Sequence, residues 1–199
     1  MSNPKLKLSA GQVAWTLWPP LAGRPAEPPS KFLARLLYLR KEGVPFSEEE
    51  LAKGSGHNQI YEFDHLAELA VAIELVDHGV KPGDAAALLS SRRQRFRAMF
   101  EQAYDRRFEE FFINHPDLPL RQGLFLELTI HYGYDEPGVY GPKLLTPPEA
   151  TKVLLGLGRQ KCSTFIIQLS ELLDRTVKRA LEAPAMPRGR PRRGNGNVR

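Results

Sequence analysis

The sequence predicts a mainly α protein with minor β, and three observations carry that expectation. Apolar residues recur at helical spacing through 32–39 and 66–76, and helix start and stop residues bracket both stretches. Only two short segments, 59–63 and 124–132, have the alternation or the β-branched and aromatic content of a strand. A chain of 199 residues with 42% hydrophobic content is long enough for one composite core with tails.

In chain order, Ser9 is a favourable N-cap for a helix through Leu17 that Pro19 and Pro20 stop. A proline-rich connector leads to Ser30, read as the cap of a second helix. That helix has Phe32, Leu33, Leu36, Leu37 and Leu39 apolar, Lys31, Arg35, Arg40 and Lys41 charged, and ends at Gly43 and Pro45. Ser47 and Glu50 have capping-box spacing ahead of the breaker Gly54-Ser55-Gly56. The segment 59–63 reads as a brief strand, and Asp64 as the cap of a third helix with Leu66, Leu69, Ile73 and Val76 on one face, ending at His78-Gly79. From Ala85 to about Asn114 the pattern suits one long helix.

Beyond Pro116 the texture changes. The segment 124–132 reads as a strand, 133–142 as a turn-rich loop, 147–157 as a helix capped by Thr146, and 159–182 as a last helix. In this reading the strand has no neighbour within its own region, so its backbone groups require a partner chain or the segment near Gln59. Residues 183–199 lack core-forming side chains and read as a tail that is disordered when free.

Charge is sorted along the chain. The 28 basic residues exceed the 23 acidic ones by five, the number of arginines in the acid-free tail: Arg188, Arg190, Arg192, Arg193 and Arg199. Residues 1–45 carry seven basic and two acidic side chains, whereas 46–87 carry two and nine. A basic front and a basic tail suit a polyanionic partner, because neutralising phosphates releases condensed counterions.

Other classes lose support on composition. No apolar run reaches the roughly 18–20 residues needed to cross a bilayer, and residues 1–8 lack a signal-type apolar core, so the expectation is a cytoplasmic, nucleoid-associated protein without a membrane partner. Cys162 is the single cysteine, and the five histidines are scattered, so no metal or other cofactor is expected. No glycine-rich phosphate loop, no GxSxG turn and no paired carboxylates beside a nucleophile occur, which predicts a non-enzyme.

The tail Pro187-Arg188-Gly189-Arg190-Pro191-Arg192-Arg193 resembles an AT-hook. Gly189 lets the backbone approach the floor of a narrow groove, Arg188 and Arg190 extend along it, and the prolines favour extended backbone. A·T tracts offer that narrow, strongly negative minor groove without the guanine amino group, and Arg192 and Arg193 add phosphate contacts.

A second likeness spans residues 8–89. Leu8 to Leu17, Ser30 to Gly43 with Tyr38 and Lys41, and Tyr61 followed by Leu66, Leu69, Gly79 and Leu88-Leu89 resemble in spacing the MerR-type winged helix-turn-helix. The resemblance implies a winged helix-turn-helix followed by a long helix, and the residues beyond it read as a small α+β C-terminal region. Together these divide the chain into a DNA-binding domain at 1–90, a connecting and dimerisation helix at 91–117, a C-terminal domain at 118–182 and the tail at 183–199. It further implies that Gln12, Ser30, Lys31, Arg35, Tyr38 and Lys41 face DNA, with His57, Asn58 and Gln59 in the wing. The chain departs from the family at Gln59 and Leu37, where arginines are usual, and carries insertions at 19–29 and 46–56. The expected function is a homodimeric transcription regulator on double-stranded DNA, with RNA polymerase as a further partner. Its rivals are an architectural or recombination-accessory DNA protein and a protein-interaction module with an incidental basic tail.

Overall fold

The computed structural model describes residues 4–18, 27–47, 49–50, 59–105, 123–131, 138–156 and 162–185. Helix α1 (Ala10–Leu17) begins at the Ser9 cap the sequence predicts, and the structure adds its reciprocal half: the Gln12 N–H donates to Ser9 Oγ at 3.3 Å and the Ser9 N–H to Gln12 Oε1 at 3.0 Å. Helix α2 (Ser30–Lys41) starts after Pro29, so Ser30 is its first residue and not its cap. It ends where Gly43 takes φ +88, the left-handed backbone that glycine adopts without a Cβ penalty, and the Val44 and Gly43 N–H groups close back onto the Leu39 and Arg40 carbonyls.

Helix α3 (Phe63–Asp77) is the central element, with ten buried residues from Phe63 to Leu75. Its cap is Glu62, whose backbone N–H donates to His65 Nδ1 at 3.1 Å; Asp64, expected there, lies inside the first turn. The same glycine closure recurs at Gly79, with φ +93, ahead of the buried Val80.

The long helix expected from Ala85 is broken. Helix α4 (Pro82–Ser91) stops at Arg92, where the backbone leaves helical geometry, and α5 (Arg93–Asp105) begins at the next residue. Ser90 and Ser91 contribute to the break, because their hydroxyls donate back to the Ala87 and Leu88 carbonyls and compete with helical bonding. Residues 106–114 of that expectation lie outside the described residues.

The C-terminal half contains more sheet than the sequence reading allowed. Strand β1 (Phe125–His131) is central in a three-stranded antiparallel sheet, between β2 (Gly138–Leu145) and β3 (Cys162–Ile167). Thus part of the expected loop at 133–142 and the start of the expected helix at 159–182 are both strands, and β1 finds its partners within its own chain. Helix α6 (Pro147–Gly156) lies between β2 and β3, with Thr146 donating through backbone and hydroxyl to Glu149 Oε2, both at 2.7 Å. Helix α7 (Leu169–Glu182) follows β3.

One core joins the two halves. Buried residues from Leu6 to Ala180 form a continuous cluster in which α7 packs against α1, α3, α5 and β1. At its centre Ser170 Oγ accepts from the Leu124 N–H at 2.9 Å and donates to the Ala103 carbonyl at 2.8 Å, tying α7, β1 and α5 together. Gly123 is required beside it: a Cβ there would stand 2.3 Å from Ser170 Cβ, inside any permitted contact. At the other end of α7 the Arg179 guanidinium lies 4.7 Å from the Trp15 ring and donates to the carbonyls of Trp15, Thr16 and Trp18 at 2.9–3.0 Å. Those carbonyls end α1 and carry its negative dipole charge, which the cation complements. Among the described residues no helix is long and apolar enough to cross a membrane.

Candidate nucleic-acid interface

Helix α2 presents an exposed face that carries basic side chains and no acid. Phe32 and Leu39 turn inward against the bundle, which leaves Ser30, Lys31, Ala34, Leu37, Tyr38 and Lys41 facing outward. Lys31, Arg35, Arg40 and Lys41 give this helix four cations and no acid. Two leucines of the apolar periodic stretch are on the outside: Leu33 is 40% and Leu37 64% exposed. Tyr38, 46% exposed, reaches across to the start of α4, where its hydroxyl lies beside Gly83.

The remaining predicted contact residues separate by position. Arg35 sits on the flank of α2 and forms an ion pair with Asp77 at 2.5 Å, so part of its charge is already answered by α3. Gln12 spends its carboxamide oxygen on the α1 cap. Gln59 is half-buried, and its Oε1 has no hydrogen-bond partner among the described residues. His57, Asn58, Arg188, Gly189, Arg190, Pro191, Arg192 and Arg193 lie outside the described residues. Ser30, Lys31, Tyr38 and Lys41 therefore form the exposed subset that one partner surface can meet together.

The described residues on either side of the insertion at 46–56 and of the expected wing residues His57 and Asn58 are tied to the rest of the bundle. Leu8 and Tyr61 form an antiparallel bridge with N–H to carbonyl distances of 2.9 Å both ways, joining the chain before α1 to the chain before α3. At the other end Ser47 and Glu50 form the predicted reciprocal cap, and Arg93 donates to the Gly43 carbonyl.

A polar cluster that sequence reading missed joins α3 to α5. Glu68, fully buried on α3, accepts from Arg93 Nε at 3.0 Å and from Arg97 Nε at 3.1 Å. Burial pushes its carboxyl above the ordinary range against the opposing pull of both guanidiniums. The signal was present but scattered: one glutamate inside the apolar run 66–76, and two arginines four apart 25 residues later.

His65 borders this cluster, with its ring 4.6 Å from Phe46. Burial and the Arg97 charge lower its pKa from 6.5, and the Glu62 N–H occupies Nδ1, so the neutral ring is the folded form. A histidine whose folded pKa is depressed carries no penalty above the unfolded value and an increasing one as pH falls below it. We expect stability to decline as the pH falls below 6.5, and His65→Gln to flatten that decline. Chemical denaturation of both proteins over that range is the check; parallel profiles would contradict the assignment.

A groove of about 650 Å³ opens between α5, the sheet and α6, lined by Arg95, Met99, Glu127, Lys143, Glu149 and Val153 among others. Its cations are matched by its carboxylates, so it lacks the one-signed lining that attracts a polyanion. Comparisons of the chain with protein-family models, with curated proteins and with solved structures found no match.

Proposed function

We propose that the protein is a sequence-specific DNA-binding regulator in which α2 enters the major groove and the arginine-rich tail enters an A·T-rich minor groove. The observation that carries this reading is the outward face of α2, where Lys31, Tyr38 and Lys41 are exposed on a helix without a single acid. A helix of twelve residues fits the roughly 12 Å wide major groove, its lysines neutralise phosphates, and tyrosine and serine donate to phosphate oxygens or base edges. The bridge Leu8–Tyr61 supports the wing assignment, since it ties the chain just before α3 to the chain before α1. The homodimer and the polymerase contact belong to the same reading, and sedimentation of the purified chain decides the first.

The combined substitution Lys31→Ala and Lys41→Ala tests it. Both side chains are exposed, so folding should be unaffected. Binding to a selected duplex should weaken about tenfold or more, and the salt slope should fall by about 2, near 0.9 for each phosphate neutralised. Unchanged affinity, or no preference of the native chain for duplex DNA over heparin at physiological salt, would refute the reading.

Leu33 and Leu37 favour a second reading as an architectural protein, because exposed apolar side chains beside cations are the type that wedge between base steps and bend a duplex. A single short footprint supports the regulator; long cooperative coverage with bending supports the architectural protein.

A further inference from the structure

A cavity of about 240 Å³ lies where the end of α1, the first two turns of α2 and the last residue of α3 come together. Part of its lining is apolar: Leu17 and Phe32 are buried, and the Trp18 ring stands 5.0 Å from the Phe32 ring at 53°. Arg179 donates to the Trp18 carbonyl at 3.0 Å, so α7 holds this aromatic wall in place from behind. The cavity is smaller than the roughly 300–1,000 Å³ of sites for drug-sized ligands, and it suits a single ring better than a fused polycycle.

The rest of the lining is charged. Lys31 and Arg35, one turn apart on α2, contribute two cations, and Asp77 contributes one acid. Asp77 Oδ1 takes its hydrogen bond from Arg35 Nη1, which leaves the guanidinium donors at Nε and Nη2 for a second acceptor. Aromatic surface therefore sits beside one positive charge in excess, unlike the groove next to α5, where the charges balance.

We propose that this cavity is a binding site for a small aromatic monocarboxylate, with its ring on Trp18 and Phe32 and its carboxylate on Lys31 and Arg35. A neutral ring would leave the cations unanswered, and a bare carboxylate would leave the aromatic wall in contact with water. A polyanion would meet repulsion from Asp77. Lys31 also stands on the outward face of α2, so a bound carboxylate draws on the ammonium that the DNA-binding reading assigns to a phosphate. This consequence rests on that reading: ligand and duplex oppose each other, by the same factor in both directions.

The experiment titrates sodium benzoate into the full chain, following heat by calorimetry and the Trp18 indole by NMR. Benzoate should bind with a Kd of about 1 mM, and benzamide and acetate about tenfold or more weaker, since each lacks half of the recognised chemistry. Arg35→Gln should weaken benzoate about tenfold, by loss of a charge-assisted bond. Asp77→Asn should tighten it, because the competing carboxylate loses its charge. The two side chains are 37% and 48% exposed, so both variants should fold. Benzoate binding no better than acetate or benzamide, or binding indifferent to both substitutions, would overturn the proposal. At saturating benzoate, duplex affinity should fall below its value in equal sodium chloride, with a salt slope lower by about 1. Unchanged duplex affinity would overturn the opposition between ligand and DNA. A chain that binds benzoate at Trp18 but has no affinity for duplex DNA would refute the DNA-binding reading and leave the cavity assignment standing.

Discussion

Replacing Glu68 with alanine will destabilise the protein by about 3–5 kcal/mol, measured as a lower urea midpoint at constant slope. The carboxylate is fully buried and bonded to Arg93 and Arg97, whose side chains are only 15% and 28% exposed. Removing it leaves two confined cations facing each other, with the desolvation of both uncompensated. Arg97 Nη2 already lacks a hydrogen-bond partner among the described residues, so the remaining charge would have little to turn to. The triple replacement Glu68→Leu, Arg93→Met and Arg97→Leu should recover most of the stability, because apolar side chains of similar volume need no solvation. A loss below about 1 kcal/mol for Glu68→Ala would mean that the cluster is hydrated and contributes little. Because Arg93 also holds the Gly43 carbonyl, Glu68→Ala should loosen the Gly43 turn and the start of the segment after α2. That appears as faster amide exchange at Val44, whose N–H bonds to the Leu39 carbonyl.

Deleting residues 184–199 should lower the salt slope of DNA binding by about 2–4, since each phosphate that the tail neutralises contributes near 0.9. The deletion removes all five tail arginines and no acid, and the net charge falls from +5 to zero. If the tail neutralises three phosphates, the affinity that it adds shrinks about fortyfold between 50 and 200 mM salt. Folding should be untouched, because the core cluster ends at Ala180 and the Arg179 bonds precede the cut. Titration of native and truncated chains at several salt concentrations measures the slopes; equal slopes would show that the tail is a passenger. Loss of Lys31 and Lys41 should act independently of this deletion, because one set of charges sits on a packed helix and the other lies beyond the end of the core.

What the sequence determined by itself was set by local chemistry. The Ser9 cap, the Ser47–Glu50 capping box, the glycine closures at Gly43 and Gly79, the stop after Leu17 and the strand at 125–131 each depend on a few neighbouring residues, and the structure has them. The mainly helical character followed from the same signals. Tertiary structure decided the rest, because those outcomes depend on partners far along the chain. Ser163-Thr164-Phe165-Ile166 can continue a helix or form a strand, and pairing with β1 chose the strand. Leu33 and Leu37 carry the same hydrophobicity as Leu39, yet only Leu39 is fully buried where α2 packs on α3 and α4, so the former are left on the surface. Arg35 reads as a free cation until Asp77, 42 residues away, is folded beside it. Glu68 reads as a blemish in an apolar run until Arg93 and Arg97 arrive from α5. A charge announces itself in sequence, but whether it faces solvent, a partner or another charge is settled only when packing removes the water around it.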